Sequence, residues 1–139
     1  MLFHLIYASR ATRTVDDAQL QQMLHRARRN NDRLGVSGAL IVQGDYFVQL
    51  LEGEPATICQ LYQEILADPM HDSAVQLDFS EIDRPHFAEW SMGLLPMTGD
   101  KQEVLRRQVG DAMLDPPTLD GPSASHLFDL VHDHVEWLS

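Results

Sequence analysis

Phe3, Leu5 and Tyr7 alternate with Leu2, His4 and Ile6, the period-two pattern of a strand covered on both faces. Thr14 followed by Asp17 has the spacing of a helix capping box. Leu20, Met23, Leu24 and Ala27 then recur at helical intervals, which predicts a first amphipathic helix ending near Asn31. Gly35 interrupts that stripe. Residues 36–42 and 46–51 read as two strands, and Gly44-Asp45 between them is a hairpin signal that makes the pair antiparallel. Gly53 punctuates, Pro55 suits a first helical position, and Ile58, Leu61, Ile65 and Leu66 mark a second amphipathic helix that stops near Pro69. Val75, Leu77 and Phe79 alternate with Gln76, Asp78 and Ser80, and after Pro85 a run through Trp90, Met92 and Leu94 alternates again, so two more strands are predicted. Val104, Leu105, Val109, Ala112 and Met113 return to helical spacing. A proline-rich break at Asp115-Pro116-Pro117 separates them from Leu127, Leu130, Val131, Val135 and Leu138, a last amphipathic helix.

The order βαββαβ with one extra strand predicts an α+β, ferredoxin-like βαββαββ fold: a mixed five-stranded sheet with two helices on one face. The two C-terminal helices are expected to cap the other face. The division that follows is a ligand-binding domain over residues 1–97 and a helical cap or output segment over residues 98–139.

Composition narrows the partners. The net charge of -11 opposes binding to nucleic acid, whose nonspecific affinity comes from phosphate neutralisation by Lys and Arg. The charge is uneven, with Arg10, Arg13, Arg26, Arg28, Arg29 and Arg33 early in the chain, where a solvated helix face accounts for most of them. No apolar run approaches the roughly 20 residues that span a bilayer. The apolar start lacks a basic leader and a small-residue cleavage site, so a cytoplasmic protein without membrane contact is expected. Cys59 is the single cysteine, which excludes an internal disulfide and a thiolate-only zinc site.

Several polar side chains fall where the periodicity wants apolar ones. Gln49 shares a strand face with Phe47 and Leu51, Tyr7 shares one with Phe3 and Leu5, and Asn30 and Asn31 extend the Leu20–Ala27 stripe by one turn. A buried amide left unpaired costs on the order of 1–3 kcal/mol, so each needs a partner. The pattern leaves two possibilities open. Tyr7 and Gln49 could bond each other or a backbone carbonyl while the asparagines cap the helix. Alternatively, these groups could edge a slot for a flat heteroaromatic ligand walled by Met23 and Ile65.

Read in order, Leu5-Ile6-Tyr7-Ala8-Ser9, Asn30-Asn31 before Gly35-Val36-Ser37-Gly38, Phe47-Val48-Gln49-Leu50-Leu51-Glu52-Gly53, Asp68-Pro69-Met70-His71 and Phe87-Ala88-Glu89-Trp90-Ser91-Met92 resemble the BLUF domain, a flavin-dependent blue-light sensor. The resemblance spans roughly residues 2–95. It implies a flavin cofactor, FAD first, with FMN and riboflavin as alternatives. Tyr7 and Gln49 would be the photoactive pair beside the isoalloxazine, Asn31 would bind the pyrimidine edge with Asn30 assisting, and Met23 and Ile65 would flank the ring. Ala27 and Phe47 would complete the ring site, and Asp68 and His71 would lie toward the ribityl and phosphate end. Trp90 and Met92 would occupy the strand next to Gln49 and change places or mobility on signalling.

Two positions depart from the family. Glu64 stands where many members carry a basic residue near the phosphate, and Ala27 stands where relatives often carry a small hydroxyl residue. In the family, light draws an electron and a proton from tyrosine through the glutamine amide and rewires its hydrogen bonds, which reddens the flavin absorption. Nothing in the 139 residues resembles an output enzyme, so the chain is expected to be a non-enzymatic sensor that signals to a downstream protein or a second copy of itself. Rival readings are a small enzyme using His71, Asp68 and Glu52 as acid–base groups, a cofactor-free binding module, and a metal site on the last helix from His126, Asp129, His132, Asp133 and His134. An exposed, solvated helix face is the commoner explanation of those last residues.

Overall fold

The computed structural model describes residues 1–96 and 99–134. Strand β1 (Leu2–Ala11) leads to helix α1 (Asp17–Leu34), the hairpin β2 (Ser37–Gln43) and β3 (Tyr46–Gly53), helix α2 (Pro55–Leu66), β4 (His71–Ile82) and a short β5 (Gly93–Pro96). Helices α3 (Gly99–Val109) and α4 (Gly121–His134) follow, joined by two 3-10 turns at Asp111–Leu114 and Pro116–Thr118. The sheet order is β4-β1-β3-β2-β5; β2 and β5 are parallel and the other neighbours antiparallel. The chain has the expected mixed five-stranded ferredoxin-like arrangement.

Alternation along the strands divides the core in two. Leu5, Tyr7, Leu40, Phe47, Leu51 and Leu94 form one cluster with Leu24 of α1 and Ile58, Leu61 and Tyr62 of α2. Ile6, Ala8, Ala39, Ile41, Val48, Leu50 and Leu95, one residue out of step, pack instead with Leu105, Met113, Leu127, Phe128 and Val131 of the C-terminal segment. Both faces are therefore covered by helices, as the near-continuous apolar strands require. Val135 and Leu138, expected to prolong the last stripe, lie outside the described residues.

The helix ends differ from expectation. Asp16, not Thr14, is the N-cap of α1, its carboxylate accepting from the Gln19 N–H at 2.7 Å while the Gln19 side chain accepts from the Asp16 N–H at 3.0 Å. The helix continues three residues beyond Asn31 and ends on Gly35 at φ 69°, a left-handed conformation that favours glycine. Asn30 and Asn31 are consequently helical residues and not caps.

Strand β4 also departs from simple alternation. Its register against β1 shifts twice, between Ile6 and Tyr7 and between Ala8 and Arg10. Leu77 packs against the α3/α4 cluster while Phe79 stacks on Phe3 at 4.8 Å, and Phe3 belongs to the other face. One bulge separates two residues that a strict period of two would align.

Candidate functional site

Tyr7 and Gln49 are direct cross-strand partners in the β1/β3 ladder, and Leu40 of β2 lies opposite Gln49 on its other side. These three and Phe47 floor a slot of about 210 Å³. Met23, Ala27, Asn30 and Asn31 of α1 form one wall, and Leu61, Glu64 and Ile65 of α2 form the other. Asp68, Met70 and His71 border the slot after α2, and Met92 closes it on the far side. All ten cofactor-contact candidates from the sequence line this one cavity. Helical spacing explains the walls, because Met23, Ala27 and Asn30 fall on one stripe of α1 and Leu61 and Ile65 on one stripe of α2.

The buried polar groups form a chain. The Tyr7 hydroxyl donates to Oε1 of Gln49, and Nε2 of Gln49 donates to Sδ of Met92 at 3.5 Å. Burial, with lesser contributions from Tyr62 and Asp68, pushes the Tyr7 phenol well above its usual range. Tyr7 is therefore a neutral donor, which fixes the amide with its oxygen toward the phenol and its NH₂ toward the methionine. Asn31, 2% exposed, donates through Nδ2 to the Ser91 carbonyl at 2.6 Å. Arg28 Nε donates to the Met92 carbonyl at 3.0 Å and the Gly38 N–H to the Trp90 carbonyl at 3.2 Å, so residues 90–92 are tied to α1 and β2. Gly38 has no room for a side chain, since a Cβ there would sit 2.2 Å from the Leu50 carbonyl oxygen.

Trp90 and Met92 are not arranged as expected. Strand β5 begins only at Gly93 and pairs with β2, which separates it from β3 and Gln49. Met92 reaches Gln49 across β2 with its side chain. Trp90 faces the other side of the sheet, its ring 6.0 Å from Phe87 and 6.5 Å from His132 of α4. Residues 86–90 cannot join the ladder because their backbone is engaged elsewhere: Trp90 N–H closes a turn on Phe87 at 3.0 Å, and the buried Glu52 carboxylate accepts from the N–H groups of His86 at 2.6 Å and Phe87 at 2.9 Å. Ser37 Oγ also donates to that carboxylate, at 3.0 Å.

These contacts weigh against the acid–base reading. Glu52 alternates with Gln49 and Leu51 on β3, and its oxygens accept from three donors on the opposite side of the sheet from Asp68 and His71. Among the described residues no group of three or more His, Cys, Asp or Glu could hold an ion. Asp129 lies 3.7 Å from His86, and His132 packs edge-on to Phe87 at 5.1 Å. The side chains of Asp133 and His134 lie outside the described residues.

The donor set fits a flavin-like heteroaromatic. His71 donates from Nε2 to the Ile65 carbonyl at 2.6 Å, which leaves Nδ1 as an acceptor that is buried and unpartnered on the slot lining. A buried acceptor without a donor is a group that a bound ligand can satisfy. Tyr7, Gln49 and Asn31 supply mixed donors and acceptors deeper in, between apolar walls. Leu24, Arg26, Leu40, Leu61 and Met70 also line the slot and were not singled out from sequence as site residues. Leu40 was accessible in principle as the cross-strand neighbour of Gln49, and Arg26 as the residue one step from Ala27.

Comparison with known proteins points to one family. The family described as BLUF, sensors of blue-light using FAD, matches residues 2–93. The blue light- and temperature-regulated antirepressor BluF of Escherichia coli (strain K12) is 35% identical over 111 residues, covering 80% of this chain and 28% of that protein. A photoactivated adenylate cyclase subunit beta of Euglena longa is 35% identical over 89 residues, 63% of this chain and 10% of its own length. The chain thus spans only a minor part of these relatives. Solved structures similar over nearly their whole length are BlsA in its photo-activated state (TM-score 0.89, 26% identity, 100% of this chain and 99% of that one) and BlrB in its dark state (TM-score 0.78, 29%, 96% and 97%). No helix among the described residues is long and apolar enough to cross a membrane. With the slot, the match over residues 2–93 and the likeness to BlsA and to the BLUF protein BlrB, the chain belongs to the BLUF family of flavin-using blue-light sensor modules.

Proposed function

We propose that the switch of this sensor is the chain Tyr7–Gln49–Met92, and that light drives an electron and a proton out of Tyr7 by way of the Gln49 amide. The observation that carries this is the continuous hydrogen bonding from the buried phenol through the amide to the methionine sulfur. A bound flavin supplies the light absorption and the electron-accepting chemistry. Asn31, Asn30, Ala27 and Phe47 would hold its ring between Met23 and Ile65, with Asp68 and His71 toward its side chain. Tyr7 is suited to its part because burial keeps the proton on the phenol until it is withdrawn. Gln49 is suited because its two ends differ: after rotation the carbonyl oxygen, an acceptor, faces Met92, and a thioether has no hydrogen to donate. Met92 then loses its partner.

The displaced segment has two outlets. Residues 90–92 are bonded to α1 through Arg28 and Asn31, and Trp90 packs on Phe87 and His132 at the α4 side. A packed core changes between discrete arrangements and does not deform smoothly, so a rewired amide can be read on the far face. Residues 98–139 would be the output segment, acting on a downstream protein or a second copy of the chain, in the cytoplasm. The name of the Escherichia coli relative, an antirepressor, supports action through a partner.

An absorption spectrum of the purified protein before and after blue illumination tests the proposal. The expected result is a flavin band that moves to longer wavelength and relaxes in darkness. A colourless protein that refuses added flavin overturns it.

A further inference from the structure

The two lips of the slot carry opposite charge. Arg26 of α1 is the one Lys or Arg side chain lining the cavity among the described residues, whereas α2 and its C-terminal turn contribute Glu64 and Asp68. Among the described residues neither Arg26 nor Glu64 is held in an ion pair. Arg26 is not isolated, since Gln22, Arg26, Arg29 and Arg33 recur at i, i+4, i+7 and i+11 and so run along one stripe of the helix. Arg26 and Arg29 also border, with Gln22 and His25, an open recess that adjoins the slot on the exposed side of α1.

An anionic tail leaving the slot therefore meets repulsion on one side and guanidinium groups on the other. A guanidinium can take two phosphate oxygens at once in a charge-assisted pair, and an exposed arginine outside any ion pair can turn toward them. We propose that Arg26, continued by Arg29, is the phosphate-binding edge of the site: the chain selects phosphorylated flavins over riboflavin by way of α1, while Glu64 turns the tail away from α2. This rests on the flavin reading above and assigns the cation that Glu64 displaces from the α2 side to a neighbouring helix.

The test is a titration of riboflavin, FMN and FAD into the full chain freed of its own flavin, read by flavin fluorescence at low salt and at about 0.5 M salt, where exposed charges are screened. FMN and FAD are expected to bind at least about fivefold more tightly than riboflavin at low salt, with the gap narrowing as salt rises. Arg26→Gln should shrink the gap to within about twofold, Arg26→Lys, which keeps the charge but not the two-oxygen contact, should keep part of it, and Glu64→Lys should widen it. Because Arg26 is exposed, Arg26→Gln is not expected to disturb folding; Arg29→Gln gives a second, smaller reduction as an independent check. Equal affinities for all three flavins in the unsubstituted chain, or a gap untouched by both arginine substitutions, overturns the inference while leaving the flavin site standing. Failure of all three to bind overturns the site and the inference together.

Discussion

The sheet carries helices on both faces, and the spaces they border, about 210 Å³ between α1 and α2 and about 250 Å³ beside α4, are lined differently. On the α1/α2 side, Tyr7, Gln49 and Asn31 are buried beside a cavity and His71 presents an acceptor with no donor. On the α3/α4 side, Ile6, Ala8, Val48 and Leu50 lie under Leu127, Phe128 and Met113, with the Phe87 and Phe128 rings meeting edge to face at 6.2 Å. Two polar groups buried there have local partners: His4 lies 2.6 Å from an Asp78 oxygen, and Glu52 takes three donors. His4 and Glu52 are thus paired within the protein. The polar groups of the first face are arranged around space, which is the arrangement of a binding site. The segment 86–92 joins the two faces, with Met92 on one and Trp90 on the other.

The largest effects should separate the two faces cleanly. Gln49→Leu conserves volume but removes both ends of the amide, and is expected to abolish the light-induced shift entirely while the protein still binds flavin. Phe128→Ala is its counterpart on the other face, expected to cost about 3–5 kcal/mol in a denaturant titration and to leave the shift of the folded fraction in place. Difference spectra and denaturation midpoints measured on both variants decide the matter. A normal shift in Gln49→Leu, or a lost shift in fully folded Phe128→Ala, would erase the proposed division of labour.

The first face was the more legible in the sequence. Strict alternation in β1 and β3 put Tyr7 and Gln49 on an apolar face, and helical spacing brought Met23, Ala27 and Ile65 to the same place. The second face depended on features with no local signature. Trp90, Met92 and Leu94 imitate a strand, but the carboxylate of Glu52, more than thirty residues earlier, captures the backbone donors that a strand would need. The bulges of β4 similarly send Leu77 and Phe79 to opposite faces, and nothing in the period reveals where an extra residue is inserted. Arg26 reads in the sequence as part of a solvated helix face because a cation on an exposed helical stripe looks the same whether it borders water or a cavity mouth.

A smaller effect addresses the junction between the faces. Glu52→Gln replaces one acceptor oxygen with an NH₂ that confronts a backbone N–H, so a loss of about 1–3 kcal/mol is expected, together with altered placement of the turn leading to Trp90. The emission of Trp90, made the sole indole by Trp137→Phe, should shift in dark-adapted Glu52→Gln while riboflavin affinity changes little. An unchanged emission spectrum would mean that the 86–92 segment holds its position without the carboxylate.

The smallest effect is a slope. A phenol whose folded pKa is raised by burial binds its proton more tightly in the native chain than in the unfolded one, where tyrosine ionises near pH 10. Below that pH both states are protonated and the group contributes no pH dependence. As pH rises past about 10 the unfolded state gains stability by losing the proton, and the native state loses ground by up to about 1.4 kcal/mol per pH unit until its own phenol titrates. Tyr7→Phe should be less stable below about pH 10, because the Gln49 oxygen loses its donor, but its stability should fall less steeply between pH 10 and 11 than that of the unsubstituted chain. Parallel denaturation curves across that interval would show that the Tyr7 phenol is not protected from ionisation by the fold, and the neutral donor that orients the Gln49 amide would lose its physical basis.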